Sequence, residues 1–531
     1  MNKMKIDFLT KKTLSVALLA ALPFFAVAQK ANWQNLDLKT DSTFGISTEK
    51  AYKELLKGKK AKPVIVGIID GGVDFNHEDL KTVLWSNAKE VGDNAKDDDK
   101  NGYIDDIRGW NFLGSAKGSV NHETLELTRL LRRDEAKFGN VDETALAAAD
   151  LPAFQAYKKM RAAYEEELAE AKSGLIGIKG FKGAIDGVVT KIGKVEPTLA
   201  DFESFKIENE MEGRIKNMMA AQLQTQSFKA FYDAQIVKGL EYYDGKVSYN
   251  LNMEYDPRPE LVGDNYADSR ERAYGNNDIA GPDASHGSHV AGIVAADRNN
   301  NLGIKGVADQ ALIMGVRAVP DGDERDKDVA NAIRYAVDNG AKILNMSFGK
   351  AYSWDKKVVD EAVKYAMSKD VLIIQAAGND NKNLEVEKSF PDRRYENGGA
   401  AGAYIVVGAS GWVDDATLKA TFSNYGKSTV DVFAPGVKIN STIPGSNYAE
   451  FDGTSMAAPV VTGLAALLRS YYPKLSALQV KDIILSSVVK VNHEVNVKVG
   501  EEIKSIPFAD LSVTGGIVNA YNALKLAAEK K

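Results

Sequence analysis

The chain has 531 residues, with 67 Lys and Arg against 73 Asp and Glu, and it contains no cysteine. A formal charge of −6 gives no basic field of the kind that phosphate backbones require, so nucleic acid is excluded as a partner. Length alone suggests three or four domains.

In chain order, Lys3, Lys5, Lys11 and Lys12 precede an apolar run from Leu14 to Val27, and Ala26-Val27-Ala28 ends it. Residues 1–28 therefore read as a secretory signal peptide, leaving a mature chain with no membrane span and a periplasmic or extracellular address. Without cysteine, such an exported chain has no disulfides, and a lipid-anchored N-terminus is excluded. Pro63-Val-Ile-Val-Gly-Ile-Ile-Asp70 reads as a buried parallel strand that releases Asp70 at its C-terminal edge, where open α/β sheets bind ligands. Asp74, four residues on, is the competing carboxylate. Asp97, Asp99 and Asn101 alternate along the next acidic loop, with Gly102 for the turn, the Tyr103 carbonyl and then Asp105. These match the first nine positions of a calcium loop. Position twelve is Arg108, so the bidentate acid is missing, and a solvated acidic turn is the alternative.

From about residue 115 to 275 the composition shifts to Ala, Glu, Lys and Met. Phe154, Tyr157, Tyr164, Leu168 and Ala171 recur at helical spacing, as do Ile207, Met211, Ile215, Met218 and Leu223. Pro152 and Gly174 bracket the first helix. The expectation is a helical hairpin that packs on itself or on the rest of the chain, with a lid beside the cleft as the second reading. Ser285-His-Gly-Ser-His-Val-Ala-Gly292 opens a further helix. His286 stands where loop meets helix, whereas His289 falls inside the first turns and reads as a packed histidine. His77, His122 and His493 carry no signal. Two more buried strands follow, Lys342–Gly349 and Val371–Asn379. Last, Asp452-Gly-Thr-Ser-Met-Ala-Ala-Pro459 places Ser455 on a tight turn at the mouth of an apolar helix, whose free N–H groups favour negative charge beside the hydroxyl.

A serine needs a base, and the base an orienting carboxylate. Ile69-Asp-Gly-Gly-Val-Asp74, His286-Gly-Ser-His-Val-Ala-Gly292 and Gly453-Thr-Ser-Met-Ala-Ala-Pro459, in that order, resemble the three blocks of the subtilisin-like serine proteases. The resemblance implies an α/β fold, a mostly parallel sheet with helices on both faces, plus the mainly α-helical insertion. It implies Ser455 as nucleophile, His286 as base and then acid, Asp70 as the group holding the imidazole, and Asn379 as the side-chain donor to the oxyanion. Ser347, Phe348 and Gly349 would pair with the substrate backbone, and with Ala376, Ala377 and Gly378 they would border a pocket admitting a large apolar residue. It also implies a tight calcium site from the Asp79 carboxylate, the Asn300 side chain and the carbonyls of Arg298, Leu302 and Ile304, so that structural Ca2+ is expected.

The spacing departs from the family pattern between Asp70 and His286, which stand 216 residues apart. The expected division is a signal peptide (1–28), an N-terminal segment (29–62), a catalytic domain in two parts (63–114 and 276–527) around the insertion (115–275), and a tail (528–531). Residues 29–62 are too few for the folded inhibitory propeptide common in the family, and the ending leaves no room for a sorting domain. Gly71 stands where the family often has a hydroxyl, removing one possible hydrogen bond to Asp70. The expected function is an exported endopeptidase acting on proteins or peptides. The alternative is a non-catalytic binding protein in which the insertion recognises a partner.

Overall fold

The computed structural model describes residues 30–530. The signal-peptide reading falls on residues 1–28 and lies outside them. Among the described residues no helix is long and apolar enough to cross a membrane.

Nine strands form the central sheet: β1 (Val64–Asp70), β2 (Gly109–Asn111), β3 (Ala311–Arg317), β4 (Ile343–Met346), β5 (Leu372–Ala376), β6 (Tyr404–Ser410), β7 (Val432–Pro435), β8 (Val489–Lys490) and β9 (Gly516–Ile517). Their spatial order is β8-β9-β7-β6-β5-β4-β1-β3-β2. Every pairing is parallel except β8 with β9. The central strands are near-continuous apolar runs because helices cover both faces, leaving no solvent side to alternate towards. With β1 between β3 and β4, third from the β2 end of the sheet, Asp70 emerges at the carboxyl edge flanked by a strand on each side.

The insertion carries α1 (Glu126–Phe138), α2 (Leu151–Ile192), α3 (Glu210–Gln222) and α4 (Lys238–Gly245). The first helix was expected to stop at Gly174, yet α2 runs 42 residues to a left-handed Gly193 at φ +74°. Gly174 is no terminator. A Cβ there would lie 2.2 Å from the Tyr243 ring, so glycine serves close packing of α2 on α4. Nor do the two helices form a simple hairpin. The C-terminal half of α2 shares a separate cluster with Phe202, Ile215, Met219, Phe228 and Phe231, while its N-terminal half packs Phe154 and Tyr157 on Leu131 and Phe138 of α1. The base of the insertion belongs to the catalytic core, since Val120, Val262 and Tyr274 are buried there with Trp110, Phe112 and Tyr335.

Four helices position the chemistry: α5 (Ser285–Ala295), α6 (Asp326–Asp338), α7 (Lys356–Ser368) and α8 (Thr454–Tyr471). Between its ends α8 is buried on all sides except at Ser455, which fits its nearly unbroken apolar composition. Residues 32–56 are also part of this body. Trp33, Ile46, Ala51 and Leu56 sit in the same core as α8, and Ile46 accepts a backbone hydrogen bond from Ala520.

Candidate active site

Asp70 ends β1 and is 2% exposed. Its Oδ1 accepts from the Gly71 N–H at 2.7 Å and from His286 Nδ1 at 2.7 Å. That second contact depends on Gly287. A Cβ there would lie 2.1 Å from the Gly72 carbonyl oxygen, so only glycine lets α5 dock on the turn after β1. Burial pushes the His286 imidazole down, but the Asp70 charge and hydrogen bond and the Asp283 charge push it up by more, and the ring ends above its ordinary value. Asp70 Oδ2 is buried with no hydrogen-bond partner, the consequence of Gly71 in place of a hydroxyl residue.

Ser455 is the second residue of α8. Its Oγ donates to the Ser347 carbonyl at 3.1 Å, and Ser347 Oγ donates to the Ser455 carbonyl at 2.9 Å. Asn345 Nδ2 donates to Ser347 Oγ at 2.9 Å, and Thr462 Oγ1 donates to Asn345 Oδ1 at 2.8 Å, so a buried polar chain fixes the floor beneath Ser455. Rotation about the Cα–Cβ bond turns Oγ from the carbonyl to the cleft, and resting hydrogen bonds of this kind commonly tighten only when substrate is bound. Asn379 Oδ1 accepts from both N and Oγ1 of Thr454, each at 2.9 Å, which leaves its amide nitrogen as the atom free to serve an oxyanion. Thr454 also accepts from the Gly378 N–H at 3.0 Å. Gly378 sits at φ +101° against the Asn424 amide, where a side chain would be strained.

Two cavities meet at Ser347. The smaller, about 300 Å³, is lined by Ser347, Phe348, Gly349, Ala376, Gly378 and Asn379, with Leu384 and Lys350 as walls and Ser455 at its mouth. Ala377 is outside it and faces a neighbouring 110 Å³ cavity beside Gln375 and Pro391. The larger, about 830 Å³, opens over Asp70 and His286 and is walled by Asp283, Asp321 and the insertion residues Glu241, Asp244 and Tyr249. His122, which showed no signal in the sequence, stacks on Tyr249 at 4.1 Å and holds Asp321 at 2.7 Å in that wall. Nothing local could have pointed to it, because its partners lie more than a hundred residues away. The other histidines are structural. His289 is fully buried, donates to the Ile439 and Ala449 carbonyls and stacks on Phe451, and burial pushes it down to about 4. His77 is buried against the Asn447 carbonyl, and His493 is held by Asp414.

In the acidic loop, carboxylate oxygens of Glu90, Asp97 and Asp99 lie within 4.8 Å of one another. Glu90 is 8% exposed and its Oε2 has no partner, which is the donor that spacing alone could not supply. Asn101 and Asp105 turn their oxygens to backbone N–H groups, of Tyr103 and of Asn94 and Ala95, while the Tyr103 ring packs on Trp110 and Tyr335. At the other expected site, Asp79 and Asn300 meet at 2.6 Å, and Ile304 N–H and the Tyr448 hydroxyl also approach the carboxylate. Leu302 N–H occupies Asn300 Oδ1 at 2.9 Å, and Arg298 reaches Glu49 and the Gly306 carbonyl. Burial pushes Asp79 above its ordinary value.

The arrangement combines a hydroxyl at a helix N-terminus, a carboxylate-held imidazole and an amide donor around one cleft, the set required for acyl transfer. The chain is similar to several known proteins. The thermophilic serine proteinase of Bacillus sp. (strain AK1) is 46% identical over 187 residues, covering 35% of this chain and 43% of that protein. Alkaline elastase YaB of Bacillus sp. (strain YaB) is 35% identical over 234 residues, covering 43% and 57%. The chain thus spans about half the length of these curated relatives. A solved protease from Pseudoalteromonas arctica is 29% identical, with a TM-score of 0.38, covering 48% of this chain and 74% of that one. A model of the subtilase family matches residues 61–501, and the chain belongs to that family.

Proposed function

We propose that the protein is an exported serine endopeptidase that hydrolyses peptide bonds in protein or peptide substrates through an acyl-enzyme on Ser455. The observation that carries this is the 2.7 Å contact of His286 Nδ1 with a buried Asp70, which fixes the tautomer that leaves Nε2 as the base. His286 takes the Ser455 proton as Oγ attacks the carbonyl, and returns it to the leaving amine. The amide nitrogen of Asn379 and the Ser455 N–H stabilise the oxyanion. The 300 Å³ cavity, floored by glycine and alanine, suits a large apolar side chain on the residue whose carbonyl is attacked. Labelling with a fluorophosphonate tests the assignment. Ser455 is expected to carry the label, and Ser455→Ala to lose on the order of 10⁶ in turnover; substantial hydrolysis by that variant would remove Ser455 from the mechanism.

Calcium is the second part of the proposal. Glu90, Asp97 and Asp99 offer an all-oxygen set with one buried, unpartnered oxygen, the donor chemistry that hard cations take. The ion would be structural, tying the acidic loop to the sheet edge near β2. Around Asp79 the oxygens already have protein partners, and a cation there would have to displace the Asn300 amide.

A further inference from the structure

The insertion supplies one wall of the catalytic cleft, and that wall is acidic. Glu241 and Asp244 of α4 face the 830 Å³ cavity over His286, opposite Asp283 and Asp321. Asp70, with its unpartnered Oδ2, forms the floor. Among the described residues, Arg317 is the one fixed cation lining it. That guanidinium is 2% exposed and already donates to the carbonyls of Gly71 and Val120 and to Asn111 Oδ1. Burial also pulls it down to about 10, against the charges of Asp278 and Asp283. The cavity therefore has a clear excess of negative charge.

Its position decides what could use that charge. An extended substrate laid along Ser347–Gly349 sends alternate side chains to opposite sides. The residue whose carbonyl faces Ser455 and Asn379 places its side chain in the 300 Å³ cavity. The preceding residue then points the other way, across Ser347, into the acidic cavity beside His286. Tyr249, stacked on His122, lines the same cavity as the carboxylates and offers apolar surface to the stem of a long cationic side chain.

We infer that the insertion makes this protease select a lysine or arginine at the position just before the residue bearing the scissile carbonyl, with Glu241, Asp244 and Asp321 as the specificity-determining groups. The inference rests on the endopeptidase reading. Exposed ion pairs are weak one by one, and two or three acting together give about a tenfold preference. The geometry also accounts for a 161-residue stretch between two catalytic blocks: its base is held in the core while its α4 turn reaches the cleft.

The test compares internally quenched peptides that differ only in carrying lysine or its neutral isostere norleucine at that position. The kcat/KM ratio is expected to favour lysine about tenfold, to fall towards one in 1 M salt, where screening acts within about 3 Å, and to fall likewise in Glu241→Gln/Asp244→Asn. Equal rates on the two peptides, or a preference indifferent both to salt and to the double variant, would overturn the inference. The salt series needs no variant and so decides even if the double variant does not fold. Failure of the endopeptidase reading looks different: neither peptide would be cleaved and no fluorophosphonate label would appear.

Discussion

Asp283 stands three residues before His286, the proposed base, and its charge helps to hold that imidazole above its ordinary value. Only neutral imidazole can accept the Ser455 proton, so activity should rise with pH along a limb lying above the ordinary histidine value of about 6.5. Asp283→Asn removes one of the raising charges and should move that limb to lower pH, which a kcat/KM profile will show. An unchanged or upward-shifted limb would contradict the electrostatic account. At this scale the sequence could name candidates wherever local context marks them: Asp70, His286 and Ser455 stand at a strand or helix end, and Asn379 lies three residues beyond β5. Glu90, His122, Glu241 and Asp244 were not legible, because their roles arise from contacts across long stretches of chain. Ala377 illustrates the reverse, a residue in the expected motif that the pleat of the strand turns away from the cavity.

The glycines of α2 show the same divide among elements. Gly174 reads as a stop signal by propensity, but the helix passes through it because the Tyr243 ring needs the space. Gly183, nine residues on, has nothing within 4 Å of its missing Cβ. Alanine at the two sites should therefore act in opposite directions. Gly183→Ala should stabilise by up to about 1 kcal/mol through helix propensity. Gly174→Ala should destabilise by about 1–3 kcal/mol through overpacking, and denaturant titration measures both. Helical periodicity announced the helix across 154–171, but the run from Ile207 to Leu223 overshot, since the helix there spans only Glu210–Gln222 and Ile207 lies in the exposed loop before it. It could not say that α2 continues to Ile192, since packing in the separate cluster around Phe202 and Ile215 rather than local sequence sets that length.

Across the whole molecule, buried charge joins insertion to catalytic domain. Arg258 is 2% exposed and forks onto Asp328 of α6 at 2.6 and 2.7 Å while Nε holds Asp264 at 2.6 Å. Lys350, also buried, bridges Glu126 of α1 and Asp326 of α6 at 3.1 and 2.8 Å. Removing one partner strands the others, so Arg258→Ala should cost about 3–5 kcal/mol, visible as a lower denaturation midpoint. A loss under 1 kcal/mol would show that water reaches the pair. Chelation should act on stability too, since an ion held only by the folded state raises its melting temperature by mass action. An identical melting curve with and without chelator, in protein shown to carry no calcium, would remove the proposed loop site.

The hydrogen bond from Asn519 Nδ2 to Ser47 Oγ, at 2.8 Å, joins residues separated by nearly the whole chain, and the Ala520–Ile46 backbone bond lies beside it. This makes the fold a question of time. Synthesis delivers residue 47 long before residue 519, and pairings at such separation are slow to form. The early segment also packs in the core around α8, the helix that carries Ser455. The setting of Ser455 is therefore completed only when the helix that follows Asn519 arrives to close it, so a nascent chain that stops short of that helix leaves the core around α8 open.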